Sequence, residues 1–249
     1  MPKVFFGTSG FMYPHWKGHF YPKNVLRKDW FGYYTKQFDT VELNVSFYRL
    51  PKKETFANWR KKAGPPSANR RSGFVFSIKG SRYITHVKRL KDCQEAVKRF
   101  FEAANAVKNG KDIVLWQLPP RMKANSERLE GFLNTLPRSW RHAFEFRSST
   151  WLTVKIFELL RRYKAAIVFQ DFPDWPITEE VTTDFVYLRF HGRTHLYTSG
   201  YSKKELEEWS RKIDKWMSRG LDIYAYFNND ALCYAVENAR TLKELVKKV

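Results

Sequence analysis

Eight short runs rich in β-branched and aromatic residues punctuate the chain: KVFFGT, TVELNVSF, FVFSIK, DIVLWQL, HAFEFR, AIVFQD, FVYLRFH and IYAYFNN. Longer amphipathic runs follow all of them but the sixth: LRKDWFGYYTKQF, KETFANWRKKA, LKDCQEAVKRFFEAANAVK, SERLEGFLNTL, LTVKIFELLRRY, SKKELEEWSRKIDKWMSR and ALCYAVENARTLKELVKKV. Helix-start signals agree, with Asn125-Ser126 ahead of Glu127 and Ser202 three residues before Glu205. Strands that alternate with helices pair in parallel through right-handed crossovers. Eight such units in 249 residues is the size of one (β/α)8 barrel of TIM type. The expected fold class is therefore α/β, with a single barrel domain over residues 1–249. The stretch FPDWPITEEVTT holds two prolines and reads as a loop in place of a helix between strands six and seven. An open doubly wound sheet is the alternative, but its G-x-G-x-x-G turn is missing after the first strand.

Strand parity then selects candidate functional residues. Side chains alternate between the two faces of a strand. In TVELNVSF this puts Val41, Leu43, Val45 and Phe47 on one face and Glu42, Asn44 and Ser46 on the other. Both faces of a barrel strand are covered, so a polar face points inward rather than at bulk water. The same reading gives Lys79 on the third strand, Gln117 on the fourth, and Glu145 and Arg147 on the fifth. Asp171 follows on the sixth, Arg189 and His191 on the seventh, and Asn228 on the eighth. Nearly all fall late in their strands, at the end where barrel enzymes hold their chemistry.

Charge narrows the ligand class. Lys and Arg number 45 against 25 Asp and Glu, a net charge of +20. Residues 49–99 alone hold 15 basic and 3 acidic side chains, +12 of that total. A basic surface attracts phosphate polyanions and acidic metabolites, although charge runs are more often solvated faces. The loops after the first four strands mix Tyr13, Trp16, Phe20, Tyr21, Phe47, Tyr48 and Tyr83 with Arg49, Lys52, Lys53, Arg82, Lys88, Arg89, Arg121 and Lys123. Aromatics for stacking beside cations for phosphate suit a nucleic acid strand, whereas the plainer reading packs at least half of those rings onto the barrel. The run GPPSANRR lies between a helix and a strand, hence at the opposite end.

Several signatures are absent: no phosphate-loop G-x-x-x-x-G-K-[ST], no H-E-x-x-H zinc helix, no G-x-S-x-G elbow and no nucleotide-cofactor motif. His15/His19 and His191/His195 have the i, i+4 spacing of helical metal ligands, but Gly18 and Gly192 argue against helices there. Cys93 and Cys233 make neither a disulfide framework nor a zinc site, which fits a reducing compartment. With no signal-peptide pattern and no apolar run near the roughly 20 residues that span a bilayer, a cytoplasmic protein without a membrane partner is expected.

The motifs GTSGF with YPHWKGHFYP, VELNVSFYRLP, FVFSIKGSRYITH, LWQLPP, EFRSSTW, LRFHGR with YTSGYSKKEL, and AYFNNDALCYAVENA together resemble the YecE-like family, domain of unknown function 72, in order over almost the whole chain. The resemblance implies a TIM-barrel architecture. It places the family's recurrent residues on Glu42, Asn44, Lys79, Thr85, His86, Gln117, Glu145, Arg147, Arg189, His191, Gly192, Asn228, Asn229 and Asp230. Ser148-Ser149 stands where the family more often has His-Pro, which removes an imidazole from that turn.

Roles follow from chemistry. Glu42, Glu145 and His191 are the acid–base candidates. Arg147 and Arg189 can grip a phosphate or carboxylate bidentately, with Lys79 as a point charge. Asn44, Gln117, Asn228, His86 and Tyr48 complete a ligand-binding set. Schiff-base chemistry at Lys79 is disfavoured by carboxylate pairing. A single divalent metal would fall to Glu145, Asp171 and His191. The plainer reading is a balanced internal ion-pair network, because buried charges are paired. The leading expectation is an enzyme on a phosphate-bearing ligand, DNA or RNA favoured, with hydrolase or lyase chemistry. The alternatives are an isomerase, aldolase or hydrolase on a small phosphorylated or acidic sugar, and a non-catalytic nucleic-acid-binding barrel.

Overall fold

A computed structural model describes residues 2–65, 73–176 and 178–246. The strands are β1 (Val4–Thr8), β2 (Thr40–Leu43), β3 (Val75–Lys79), β4 (Ile113–Gln117), β5 (Arg141–Glu145), β6 (Ala166–Asp171), β7 (Phe185–Phe190) and β8 (Asp222–Phe227). They are hydrogen-bonded in the order β1-β8-β7-β6-β5-β4-β3-β2, and a parallel bridge joins Ser9, just past β1, to Glu42 of β2. The helices are α1 (Trp30–Gln37), α2 (Val45–Tyr48), α3 (Lys53–Ala63), α4 (Gln94–Ala104), α5 (Ser126–Leu133), α6 (Val154–Arg162), α7 (Lys203–Ser218) and α8 (Tyr234–Val246). Eight parallel strands with helices between them make this a (β/α)8 barrel of TIM type.

Every residue of β6, β7 and β8 is buried, as expected for parallel strands covered on both faces. The helices turn one stripe inward. In α7, Leu206, Trp209, Ile213 and Trp216 recur at helical spacing and are buried. Its start is fixed by a capping box in which the Ser202 hydroxyl accepts from Glu205 N–H and the Glu205 carboxylate accepts from Ser202 N–H. Asn125 likewise caps α5 by accepting from Arg128 N–H. Between β6 and β7 the described residues form no helix. Thr182 secures that loop instead, its hydroxyl donating to Ala165 C=O and accepting from Ile167 N–H.

Several boundaries differ from the periodicity, three of them as follows. The run TVELNVSF leaves the strand at Leu43, because Asn44 is already helical (φ −88°, ψ −16°) and Val45–Tyr48 is one turn of helix. Strand parity therefore fails beyond Leu43: Val45 is 47% exposed, while Ser46 is buried by donating to Leu43 C=O and Lys79 C=O. The helix expected from Leu90 starts at Gln94, since Arg89, Leu90 and Asp92 all have positive φ. The last helix starts at Tyr234, after Leu232 and Cys233 in left-handed backbone. Pro66–Arg71 of the run GPPSANRR lie outside the described residues.

The chain divides into two units: Met1–Glu42 with Phe169–Ile177 and Asp184–Val249, and Leu43–Val168 with Thr178–Thr183. Each carries its own cluster of polar side chains. No helix among the described residues is long and apolar enough to cross a membrane.

Candidate active-site residues

In the first unit the strand ends are closed by charge pairing. Glu42, one residue before the end of β2, is fully buried, and its carboxylate accepts from Arg189 Nη2 at 2.6 Å, Tyr187 Oη at 2.7 Å and Ser9 Oγ at 2.7 Å. Arg189 is 2% exposed. A buried pair of this kind gains Coulomb energy against a large desolvation cost, and losing either partner strands the other charge. One layer deeper, Thr40 Oγ1 and Tyr226 Oη lie 2.7 Å apart. Its carboxylate, held by three donors, ties β2 to β7 through Arg189 and Tyr187.

His191 stands one residue past β7 and Asn228 one past β8, so each lies just beyond the strand on which parity placed it. The His191 N–H donates to Asp171 C=O at 2.9 Å, which holds the loop onto the end of β6. Its ring is sealed between Phe172 and Tyr197, and Nδ1 lies 3.1 Å from Asn228 Nδ2. Since the amide donates, Nδ1 is the acceptor and the ring hydrogen belongs on Nε2. Asp171 is a clamp: it accepts from Trp209 Nε1 at 2.7 Å and Arg193 at 3.3 Å, and Arg193 also reaches Glu208. Gly192 has φ +93°, and a Cβ there would meet His195 O at 2.6 Å, so the turn out of β7 requires glycine.

Sequence reasoning passed over one further group here. His15 is not on an α-helix with His19; Pro14–Trp16 is a short 3-10 helix. Its imidazole instead meets Asp230, three residues past β8, while Trp16 Nε1 donates to Asp230 Oδ1 at 2.8 Å. The signal was the polar run Asn228-Asn229-Asp230 directly after the last strand, which the pairing of β1 with β8 brings beside the first loop.

The second unit is more open. Lys79 ends β3 half-buried, with its ammonium 4.4 Å from the centroid of the Phe47 ring. His86 packs edge-on against the same ring, 5.0 Å away, and its Nδ1 lies 2.9 Å from Thr85 Oγ1. Burial first, then the Lys79 and Arg82 charges, push the His86 imidazole below its usual range. Gln117 ends β4 opposite Glu145, which ends β5. Glu145 is fully buried and ion-paired with Arg147, which lies two residues past the strand rather than within it. The Arg147 side chain keeps 11% of its exposure. Asn44 is half-buried, and its Oδ1 has no hydrogen-bond partner.

Of the loop aromatics, Trp16, Phe20, Tyr21 and Phe47 are buried packing, whereas Tyr48 is 80% and Tyr83 51% exposed. Among the described residues no three His, Cys, Asp or Glu side chains group as metal ligands. Glu145, Asp171 and His191 are thus not assembled as a ligand set; each is held by the separate contacts given above.

The sequence matches the family described as protein of unknown function DUF72 over residues 5–249. It is 23% identical to the UPF0759 protein YunF of Bacillus subtilis, covering 98% of this chain and 94% of that one. A DUF72 family protein from Thermotoga maritima has a similar crystal structure, with a TM-score of 0.84 at 29% identity over 98% of this chain and 99% of the other. Another from Enterococcus faecalis shares the fold at a TM-score of 0.83 and 19% identity, covering 99% and 96%.

Proposed function

The chain belongs to the DUF72 family, and from its own geometry we propose that it is an enzyme that takes a phosphate-bearing ligand at the C-terminal ends of β2–β5. One observation carries this reading. The polar side chains at those ends that keep some exposure are Asn44, Lys79, Gln117 and Arg147, two cations and two amides, while the carboxylate Glu145 is fully buried. What a ligand meets first is donor-rich and positive, which favours an anion. Arg147 offers a planar fork steadied by Glu145, and Lys79 a point charge.

A nucleic acid strand fits better than a free metabolite because two exposed rings adjoin the same ends. Tyr48 follows β2 and Tyr83 follows β3, and around them Arg49, Lys52, Arg82 and Arg89 are exposed. Rings and cations in that mixture stack bases and follow phosphates. Hydrolase or lyase chemistry on the sugar–phosphate backbone would draw on Glu145 as its acid–base group.

The test is fluorescence anisotropy with short single-stranded DNA and RNA across a salt series. Binding whose log affinity falls steeply and linearly with log salt is the expected result. Absence of binding at 50 mM salt, a condition taken from the range over which such contacts lose roughly 10³–10⁵ in affinity, overturns the polymer version. Saturation by inorganic phosphate or a sugar phosphate alone would transfer the site to a small anion.

A further inference from the structure

The pair formed by His15 and Asp230 is not used by the anion-binding reading, and it has the construction of a proton-transfer centre. The two residues are 215 positions apart and meet because the loop after β1 lies against the loop after β8. His15 Nε2 faces two acceptors, the Asp230 carbonyl oxygen at 3.0 Å and the Asp230 carboxylate Oδ2 at 3.1 Å. The aligned hydrogen bond goes to the carbonyl; Oδ2 sits within ion-pair range, buried and without an aligned donor of its own. With acceptors on that side, the neutral ring carries its hydrogen on Nε2 and leaves Nδ1 as the basic nitrogen.

The surroundings fix the carboxylate and leave the imidazole reachable. Trp16, fully buried, donates to Oδ1 and holds Asp230 in place. The Asp230 side chain is 13% exposed and that of His15 47%. Burial, offset in part by the Trp16 hydrogen bond and the His15 charge, leaves the Asp230 carboxyl raised to about 6. Tyr13 packs against both the Trp16 and His15 rings, and Cys233 Sγ donates to the His15 carbonyl at 3.7 Å. The turn that follows, Leu232-Cys233, is held with φ of 54° and 65°, conformations a non-glycine residue adopts at a cost.

We propose that His15 and Asp230 form an acid–base dyad, in which Nδ1 takes a proton from a hydroxyl or water that reaches the exposed face of the ring and Asp230 steadies the resulting imidazolium through Nε2–H. The balance is simple: the O–H bond breaks with its electron pair left on the oxygen, the proton bonds to Nδ1, the neutral ring becomes a cation, and the facing carboxylate compensates that charge. As catalysis this rests on the enzyme reading above, but its test does not require a ligand.

The first measurement is the nitrogen NMR spectrum of the uniformly labelled chain, which distinguishes the two neutral tautomers. His15 is expected as Nε2–H with a bare Nδ1; an Nδ1–H tautomer overturns the dyad. The second is ethoxycarbonylation by diethyl pyrocarbonate, followed peptide by peptide. His15 should react at least a few-fold faster than the exposed His19 and His195, and Asp230→Asn should bring it down to their level. A rate unchanged by that substitution also overturns the proposal. The tautomer is read on the unaltered chain, so it decides even where Asp230→Asn does not fold. Failure of either measurement leaves oligonucleotide binding intact, and loss of that binding leaves the dyad standing, so the two readings fail separately.

Discussion

The two clusters solve the problem of charge in opposite ways. Around Glu42 and Arg189 every approach is closed, and the carboxylate is shared among a guanidinium, a phenol and a serine hydroxyl. Around Lys79, Gln117 and Arg147 the carboxylate is sealed but the donors remain within reach of solvent. The first arrangement resists disturbance and the second is available to a ligand, so substitutions should separate them by what they damage. The largest effect belongs to the sealed pair. Glu42→Ala strands a buried guanidinium, and a loss of about 3–5 kcal/mol in urea unfolding is expected. A loss under about 1 kcal/mol, the range of solvated surface pairs, would place water around this pair and erase the contrast.

Acid sensitivity sharpens the comparison by locating a further cost at the other end of the second unit. His142, in β5, is buried between Trp116 Nε1, which donates to its Nδ1 at 3.2 Å, and the Pro137 carbonyl at 3.1 Å from its Nε2. Burial pushes its imidazole down to about 4, against which the Pro137 bond works only weakly. The native state thus excludes a proton that the unfolded chain accepts below about 6.5. Stability from this source is complete above pH 6.5 and is lost as pH falls towards 4, about 3 kcal/mol in all. Asp112 and Asp230, both raised to about 6 by burial, act in the opposite direction as they take up protons in the native state. The informative quantity is therefore the difference between the parent and His142→Gln, which should narrow steadily from pH 6.5 to 4. A constant gap would show that His142 is already solvated.

What could be read in advance divides along a physical line. The strands, the helices and the loop between β6 and β7 were legible because each is written in local periodicity and turn chemistry, and the caps at Asn125 and Ser202 are local too. Glu42, Lys79, Gln117, Glu145 and Arg189 do fall within the strands on which alternation placed them. Where parity failed, a contact distant in sequence had taken over. Ser46 leaves the strand pattern to bond the Lys79 carbonyl, 33 residues away. Arg147, His191 and Asn228 lie past their strands, where turn geometry rather than pleat sets direction. His15 and Asp230 were invisible as a pair because no local pattern links residues 215 apart. Only the adjacency of β1 and β8 makes them neighbours.

Within the open cluster, the cations should govern affinity while leaving stability nearly untouched. Lys79→Met keeps much of the apolar stem but removes the ammonium that lies over the Phe47 ring. If the ammonium meets a phosphate, affinity for a short single strand should fall about tenfold and the slope of log affinity against log salt should drop by about 1. Arg147→Lys keeps the charge and loses the fork, so it should weaken binding with little change in slope. Equal slopes for parent and Lys79→Met would remove Lys79 from the contact and leave the open cluster without its anion.

The smallest effect is also the most discriminating. Tyr48 is 80% exposed, with Phe47 packed edge-on at 5.1 Å, and its loss should move unfolding free energy by no more than about 0.5 kcal/mol. If it stacks on a base, Tyr48→Ala should nonetheless cost about 1–3 kcal/mol in oligonucleotide binding, and Tyr48→Phe should restore most of it. That loss should persist at high salt, because stacking is far less screened than phosphate contacts. A small anion has no base to stack, so its affinity should not respond to Tyr48 at all. An oligonucleotide that also ignores Tyr48→Ala, yet still responds to Lys79→Met, would show that the open cluster grips phosphate alone and that the exposed ring belongs to the surface rather than the ligand.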